Sequence, residues 1–412
     1  MRDDVAWLIR RGQPPMDLNQ IRPHKPGRRM PVRRKQTVGI DLGTTNTVVA
    51  RNFEAMQLDS GGYVMPSAVA FPPNGATLFG QPARRRRAMD PKNTILSAKR
   101  VMGARWHSSY TSQFREHYPY DMRESADGGV EILTRAGVVS PVDAGGTVVR
   151  GLCQLTHCPV RDVHAVVTAP VGFDQRRRDA TSLAVAKAQF ASVRVVEEPI
   201  ATALAYLNRS SLKYAFVYDL GGGTFDAAVV DCSTYPFRVI GHGGDPYLGG
   251  DDVDRTIALH VADRTLSRDG WDLTNDAVTF DRLVNACEVA KCELSEAEGA
   301  AIAIPSVDPA APESCGIIPI TRDEVRQLTL DLVRSTFGIC DEVLAQASLK
   351  ARDMEAVFLA GGSTRLPGVV EYIESYFGKR PRSDLDPMQV VGLGASLAAA
   401  RPAVSELLDP CA

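Results

Sequence analysis

The sequence lacks the features that most readily identify a membrane protein, a zinc protein or a common nucleotide-binding protein. No apolar run approaches the ~18 residues of a membrane-spanning helix, and no apolar segment follows the early arginines as in a secretory signal. No C-x-x-C pair occurs among the eight cysteines, and the phosphate-binding pattern G-x-x-x-x-G-K-[ST] is absent. We therefore expect a cytoplasmic protein with reduced cysteines and no membrane contact, in which any nucleotide site belongs to a different structural class.

An excess of charge of one sign is also absent, because 47 Lys and Arg balance 49 Asp and Glu to a net charge of −2. Such a balance gives no general attraction to nucleic acids. Residues 1–36 are the exception, since they hold ten Lys and Arg, three Asp and five prolines. This composition predicts a disordered basic tail. We expect no nucleic-acid partner unless this tail supplies the contact. A translation start at Met30 is an alternative explanation of the tail.

Two stretches of the chain, Val38–Ala50 and Val217–Val230, are built alike. Each has an apolar run, the sequence Asp-Leu-Gly followed by Gly and Thr, and a second apolar run. The short, β-branched flanks predict a strand, a tight turn and a returning strand in each copy. Glycines let the N–H groups of such a turn approach a ligand, and an aspartate at each strand end, Asp41 or Asp219, suits a hydrated divalent cation. Two matched turns on two half-chains predict a nucleotide held between two lobes.

The length and the order of elements agree with two lobes. A chain of 412 residues suits two lobes of about 150–200 residues each. From Thr37 onward, strand patterns alternate with helical patterns, which predicts an α/β fold with mixed sheets. The predicted elements include a strand at Val163–Ala169 and helices at Asp174–Phe190, Phe280–Glu298 and Leu366–Phe377.

Seven motifs follow one another along the chain: DLGTTNT (41–47), SAKRVMG (97–103), APVGFDQRRRDAT (169–181), EEPIATALAY (197–206), DLGGGTFD (219–226), CEVAKCELS (287–295) and AGGSTRLP (360–367). With these motifs in this order, the chain resembles the nucleotide-binding domain of the DnaK-type seventy-kilodalton heat-shock chaperones, in the actin/hexokinase superfamily. The resemblance implies an actin-like, two-lobed ATPase fold, with duplicated ribonuclease-H-like mixed sheets around a deep central cleft. It also implies ATP or ADP with Mg²⁺ as cofactors, and K⁺ as a further candidate ion.

The resemblance divides the chain into four parts. These are the basic tail (1–36), lobe I with the first phosphate hairpin (37–213), lobe II with the second hairpin and the adenosine-binding elements (214–390), and a C-terminal helix that returns to lobe I and ends in a linker-like tail (391–412). The resemblance covers no peptide-binding domain, so we expect either an ATPase-only member or a truncated one.

Residues of both turns are expected to hold the phosphates through backbone N–H groups and hydroxyls. The expected phosphate-binding residues of the turns are Gly43, Thr44, Thr45, Asn46, Gly221, Gly222, Gly223 and Thr224. The resemblance implies a further contact near the phosphates at Gly249 and Gly250. Asp41 and Asp219 are expected to hold Mg²⁺ mainly through water. The resemblance implies that the catalytic residues are Lys99, Glu198, Thr224, Asp226 and Asp41. Of these, Lys99 would stabilise charge on the γ-phosphate, and Glu198 would position the attacking water.

The nucleoside end of the ligand would bind elsewhere. Glu288, Lys291 and Ser295 are spaced i, i+3 and i+7, which places them on one face of a helix. The resemblance implies that they bind ribose and adenine. A turn at Gly361, Gly362 and Ser363 would pass beside the base, and Arg365 would stack on it.

Four residues are implied in coupling the nucleotide to lobe movement: Pro170, Arg178, Leu407 and Leu408. The two leucines match linker residues that dock on lobe II when ATP closes the cleft. Gly172 departs from the family pattern Pro-Ala-Tyr-Phe and loosens the turn between Pro170 and Arg178. Asp386–Gln389 likewise replaces the usual Asn-Pro-Asp-Glu.

The leading functional hypothesis is an ATPase that switches lobe closure and thereby controls a protein partner or co-chaperone. One alternative is a filament-forming protein of the bacterial actin type, which electron microscopy with ATP would distinguish. A hexokinase-type kinase is another, but it would need an aspartate base beside an acceptor pocket. A nucleotide sensor that binds ATP without hydrolysing it is the third.

Overall fold

Short β-branched segments form strands and longer amphipathic segments form helices in the computed structural model, which describes residues 36–208 and 210–401. The strands in these ranges are β1 (Gln36–Leu42), β2 (Asn46–Arg51), β3 (Glu54–Ala55), β4 (Met65–Pro66), β5 (Ala68–Ala70), β6 (Leu78–Phe79), β7 (Thr94–Leu96), β8 (Asp121–Glu124), β9 (Val130–Thr134), β10 (Gly137–Val139), β11 (Val163–Ala169), β12 (Ser192–Glu197), β13 (Tyr214–Leu220), β14 (Phe225–Asp231), β15 (Arg238–Asp245), β16 (Gly299–Ala303), β17 (Ile317–Thr321) and β18 (Ala356–Ala360). The helices there are α1 (Gln81–Arg84), α2 (Ser109–His117), α3 (Pro141–Leu155), α4 (Gln175–Ala186), α5 (Glu198–Tyr206), α6 (Gly250–Asp269), α7 (Ala277–Glu293), α8 (Ile304–Val307), α9 (Arg322–Gln346), α10 (Val369–Phe377) and α11 (Val390–Ala400).

The two larger sheets share one plan. The first has the order β12-β11-β1-β2-β3, with β4 also pairing with β2, and the second has the order β15-β14-β13-β18. In each sheet an antiparallel hairpin, β1–β2 or β13–β14, lies beside a parallel strand, β11 or β18. The two similar sequence stretches therefore form the same hairpin in the same sheet position, and the α/β prediction is confirmed.

A small apolar core joins the two sheets. It contains Ala50 from the first sheet, Val217 and Phe358 from the second, and Ala201 and Val391 from helices α5 and α11. These helices pack closely, because a side chain at Gly394 would collide with the backbone of Ala201. Helix α11 also packs on β1. The two hairpins are thus held on one common support.

Three helices end or begin where the sequence did not predict. Helix α4 stops at Ala186 because Gln189 has a φ of 69°, and α7 stops at Glu293 before strand β16. Helix α10 begins at Val369 and does not include Pro367, because Gly368 between them has a left-handed φ of 87°. A left-handed backbone residue interrupts helical hydrogen bonding, and apolar periodicity does not reveal it.

The predicted basic tail and linker-like tail lie at the two ends of the chain. Gln36, which we assigned to the basic tail, is the first residue of β1. The rest of that tail, and the linker residues Leu407 and Leu408, lie outside the described residues. The seven cysteines that the structure describes are free, and six of them are buried. Of the helices in residues 36–208 and 210–401, none combines the length and apolar character required to cross a bilayer.

Candidate active site

A cavity of about 360 Å³ opens where the two hairpins approach each other. This volume falls within the range of about 300–1,000 Å³ that is typical of small-molecule sites. The predicted site residues that line the cavity are Asp41, Gly43, Thr44, Thr45, Asn46, Lys99, Pro170, Glu198, Asp219, Gly221, Gly222, Thr224, Asp226, Gly361 and Gly362. These residues come from six separate segments of the chain, which therefore meet at one cavity.

The turn of the first hairpin is braced from behind. The Ser67 hydroxyl donates to the carbonyl oxygen of Gly43 at 2.8 Å, and the Ser67 N–H donates to the carbonyl oxygen of Thr45 at 2.8 Å. Both contacts occupy carbonyl groups of the turn. The N–H of Thr45 donates to no backbone acceptor among the described residues, so it is available to an anionic oxygen.

The turn of the second hairpin is braced by helix α6. The N–H of Gly250, at the start of α6, donates to the carbonyl oxygen of Gly221 at 3.1 Å. The Gly222 and Gly223 N–H groups have no backbone acceptor in the described part of the chain. A Cβ atom at Gly222 would lie 2.6 Å from Oγ1 of Thr45. The two turns therefore face each other at close range, and glycine at position 222 permits the approach.

Three aspartates lie on the floor of the cavity. Asp41, near the end of β1, accepts a hydrogen bond from Oγ1 of Thr168 at 2.8 Å. Asp219 near the end of β13 is directly opposite Asp226 on β14. Burial and the negative charge of Glu198 raise the pKa of Asp226 to about 7, and burial is the main reason that the pKa of Asp41 rises to about 6. Burial and three neighbouring carboxylates raise the pKa of Asp219 well above its usual range.

Lys99 supplies the positive charge of this floor. It lies in a 3₁₀ turn, Ala98–Val101, that follows Ser97 with a φ of 54°. Its Nζ donates to Oε1 of Glu198 at 2.5 Å, and its side chain is 4% exposed. Burial alone would lower the pKa of Lys99, but the charges of Glu198 and Asp41 raise it. The ammonium group therefore stays charged at neutral pH.

The charges on the cavity floor fit a hydrated divalent cation. Four carboxylates, those of Asp41, Glu198, Asp219 and Asp226, surround the single ammonium group of Lys99. Within the described residues, no group of three or more His, Cys, Asp or Glu side chains is placed to enclose a metal directly. Mg²⁺ keeps much of its water and binds through one or two carboxylates and phosphates. Asp41 and Asp219 match that mode of binding.

Gly361 and Gly362 of the predicted nucleoside site line the cavity, but the three predicted residues of the helix face, Glu288, Lys291 and Ser295, do not and contact other protein groups. Glu288 forms an ion pair with Arg84, and Ser295 donates a long 3.5 Å hydrogen bond to the carbonyl oxygen of Lys291. Nζ of Lys291 lies 2.8 Å from Asp254 and donates to the carbonyl oxygen of Gly250 at 2.9 Å. Their roles toward adenosine stay predictions.

The remaining predicted residues lie just behind the cavity wall. Arg365 pairs with Asp386 at 2.6 Å, and the Ser363 hydroxyl donates to the carbonyl oxygen of Gly221 at 2.8 Å. Gly223, Gly249 and Gly250 also lie outside the lining. Ser363 and Gly250 therefore both support the second turn from behind.

Arg178 connects the proposed coupling segment to the active site. Its guanidinium donates to the carbonyl oxygens of Phe173 and Val171 and pairs with Glu197 at 3.0 Å. Glu197 directly precedes Glu198, which is paired with Lys99. Arg178 thus links the 170–173 turn to the Lys99–Glu198 pair, although its coupling role stays a prediction.

Several residues of the cavity lining were not predicted from the sequence. They are Arg100, Tyr110, Phe173, Arg177, His242, Pro246, Tyr247 and Met388, among others. Arg100 directly follows Lys99, and Arg177 stands in an arginine run that a surface helix would also contain. Composition and spacing carry no signal that these residues meet.

Sequence comparison shows which known proteins this chain is similar to. A family model described as Hsp70 protein matches residues 37–406. The chain is 35% identical over 373 residues to a mitochondrial heat shock 70 kDa protein of Dictyostelium discoideum. The match covers 88% of this chain and 56% of that protein. The chain therefore spans little more than half the length of this curated relative.

Proposed function

Because the chain belongs to the Hsp70 family, we propose that it binds ATP in the cavity between the two hairpins and hydrolyses it to ADP and phosphate. The family resemblance is confirmed, and the fold is the actin-like ATPase fold of that family's nucleotide-binding domain. One observation carries the proposal. Two opposed turns with available N–H groups meet above a buried Lys99–Glu198 pair.

The hydrolysis itself requires positioning and charge neutralisation more than covalent help. The two turns bind the phosphates through their N–H groups, and Lys99 stabilises charge that develops on the γ-phosphate. The oxygen of a water molecule bonds to the γ-phosphorus while the bond to the bridging oxygen breaks, and ADP leaves with that electron pair. Glu198 and Thr224 orient the water. Asp226, with its pKa near 7, accepts a proton from it at neutral pH.

Mg²⁺ dependence is part of the proposal. Asp41 and Asp219 would hold the ion through its water ligands, and the ion would neutralise phosphate charge. K⁺ is a further candidate ion. The cavity floor supports this requirement for cations, because burial and neighbouring carboxylates raise the pKa values of three aspartates and a bound cation would stabilise their charged forms.

The biological output that we propose is control of a protein partner or co-chaperone through lobe closure. Arg178 supports it, since this side chain connects the 170–173 turn to the residue before Glu198. The relative's name points to a heat-shock role, which for this chain is a proposal. A cytoplasmic location also stays a prediction.

Nucleotide binding and phosphate production test the proposal together. ATP and ADP should each raise the unfolding temperature, and the stabilisation should follow RT ln(1 + [L]/Kd). Phosphate should form with Mg²⁺ and stop with a chelator. Equal stabilisation by GTP would reject the adenosine assignment, and ATP binding without phosphate production would favour the sensor alternative. An unchanged unfolding temperature would reject the proposed nucleotide site.

A further inference from the structure

The cavity continues beyond the predicted nucleotide contacts into a region walled by two arginines and three aromatic rings. We call this region the arginine compartment, and its residues are Arg100, Arg177, Tyr110, Phe173 and Tyr247. Both arginines are buried, with exposures of 7% for Arg100 and 5% for Arg177. Charged side chains are rarely this buried unless they are paired.

Arg100 makes one hydrogen bond through its guanidinium group and leaves two other donor nitrogens without a hydrogen-bond partner among the described residues. Its Nη2 donates to the carbonyl oxygen of Gly223 in the second phosphate turn at 2.8 Å. Its guanidinium carbon lies 4.5 Å from the centroid of the Tyr247 ring. Its Nε and Nη1 are buried and make no hydrogen bond within the described residues.

Arg177 is held in a similar way. Its Nη2 donates to the carbonyl oxygen of Arg100 at 2.9 Å, and its guanidinium lies 3.7 Å from the Phe173 centroid and 4.5 Å from that of Tyr110. Its Nε is buried and has no hydrogen-bond partner in the part of the chain that the structure describes. Neither arginine forms an ion pair within 4.0 Å of a carboxylate in residues 36–208 and 210–401. Buried, unpaired donors of a charged group are costly, and an anion would compensate them.

The arginine compartment adjoins the place where phosphate would be formed. Arg100 follows Lys99 in sequence and contacts the carbonyl oxygen of Gly223. The charges of both arginines lower the pKa of Asp226, which burial otherwise raises. A Cβ atom at Gly172 would meet no atom within 4 Å, so the cavity is open there.

We propose that Arg100 and Arg177 form a binding site for inorganic phosphate, which holds the phosphate cleaved from ATP before it leaves the cavity. Guanidinium groups match the tetrahedral oxygens of phosphate by charge and by their forked donors. The aromatic rings keep the guanidinium planes in place and restrict water. The product-holding role rests on the proposed ATPase function, whereas the binding of phosphate does not.

Calorimetric titration of inorganic phosphate into the ADP-bound protein tests the site directly. The parent protein should bind phosphate saturably, and Arg177→Gln should weaken this binding by about 10-fold or more, as expected for a lost charge-assisted hydrogen bond. Arg176→Gln is the matched control, because the neighbouring Arg176 on α4 pairs with Asp127 at 2.8 Å and does not line the cavity. The control should bind phosphate as the parent does.

A second variant guards against a folding defect of Arg177→Gln. Gly172→Leu keeps both arginines and fills the open space, so it should weaken phosphate binding while ADP still protects the protein from unfolding. No saturable binding by the parent would overturn the site. Parent-like phosphate binding by both Arg177→Gln and Gly172→Leu would also overturn it.

Single-turnover kinetics with a phosphate sensor tests the product-holding role. In the parent, phosphate should appear in solution after ATP is cleaved, and Arg177→Gln should shorten this delay. An unchanged delay in Arg177→Gln would overturn the role. If the parent bound phosphate through Arg177 but did not cleave ATP, the ATPase proposal alone would fail.

Discussion

The hairpins β1–β2 and β13–β14 have the same topology but unequal electrostatic surroundings. Asp41 of the first accepts a hydrogen bond from Thr168 on the neighbouring strand and lies near Lys99, so its pKa rises only to about 6. Asp219 of the second lies opposite Asp226, and its pKa rises well above the usual range. The two hairpins therefore share a backbone plan but differ in the charges around it. Burial and neighbouring carboxylates therefore disfavour the charged form of Asp219 more strongly than that of Asp41.

The two turns also differ in what supports them. A single hydroxyl residue, Ser67, braces the first turn. The second turn is braced by the start of α6, where Gly250 is itself held through its carbonyl oxygen by Lys291. Lys291 thus supports the phosphate turn from behind. This support makes the second hairpin sensitive to changes far from the cavity, while the first is locally stabilised.

The largest expected effect comes from Lys291→Ala. The variant leaves Asp254 buried without its partner, which should lower the free energy of unfolding by about 3–5 kcal/mol. Lys92→Ala is the control, because Lys92 is exposed and pairs with exposed Asp121, and it should cost at most about 1 kcal/mol. Chemical denaturation measures both. If both variants lowered the free energy of unfolding equally, Lys291 would stabilise the protein no more than an exposed lysine does.

Lys99→Ala should slow single-turnover hydrolysis by about 100-fold, because charge stabilisation in the transition state is lost. ADP should still stabilise the variant against unfolding. Lys92→Ala again serves as the control and should hydrolyse ATP at the parent rate. A parent-like rate in Lys99→Ala would remove Lys99 from the mechanism.

Gly222→Ala tests the close approach of the two turns. The added methyl would lie 2.6 Å from Oγ1 of Thr45, and relieving such a contact costs on the order of 1–3 kcal/mol. We expect ADP affinity to fall by about 10-fold by calorimetry. Gly338→Ala on helix α9, where a Cβ meets no atom within 4 Å, should leave affinity unchanged. If Gly222→Ala bound ADP as tightly as the parent, nucleotide binding would not require the close approach of the two turns.

A further expected effect is a change in how stability depends on pH, and it concerns Asp226 in the nucleotide-free protein. Its pKa is about 7 in the folded state, against an ordinary value of 3.8. Between these values the folded protein holds more protons than the unfolded one, so this group's contribution to stability is lost as pH rises from about 4 to about 7. Asp226→Asn removes this titration, so its free energy of unfolding should fall less between pH 4 and pH 8 than that of the parent.

Asp127→Asn is the control for the pH experiment. A hydrogen bond from Ser125 lowers the pKa of Asp127 below its usual value of 3.8, so Asp127 contributes little to the pH dependence of stability above about pH 5. Denaturation curves between pH 4 and pH 8 should therefore keep the parent slope in this control. If Asp226→Asn also kept the parent dependence of unfolding free energy on pH, burial would not raise the pKa of Asp226 as stated.

Prediction from the sequence succeeded where a few consecutive residues determine the geometry. The Asp-Leu-Gly turns and the strand at Val163–Ala169 were both predictable, because strand propensity and glycine act locally. The cavity brings those turns together as expected. Fold class followed from the same local patterns.

Contacts between distant segments could not be predicted in this way. The i, i+3, i+7 spacing places Glu288 and Lys291 on one face, but it does not reveal that Arg84 and Asp254 lie opposite them. Arg177 likewise reads as one of three consecutive arginines until the fold stacks it on Phe173. Long-range electrostatics depends on tertiary packing, which periodicity does not encode.

Hydrogen exchange at the two turns tests most directly the claim that both hairpins bind one nucleotide. ATP with Mg²⁺ should slow exchange of the Thr45 N–H and of the Gly222 and Gly223 N–H groups together, since these donors have no backbone acceptor among the described residues. Protection of both turns at the same ATP concentration is the predicted result. Protection confined to one turn, or to neither, would contradict the account.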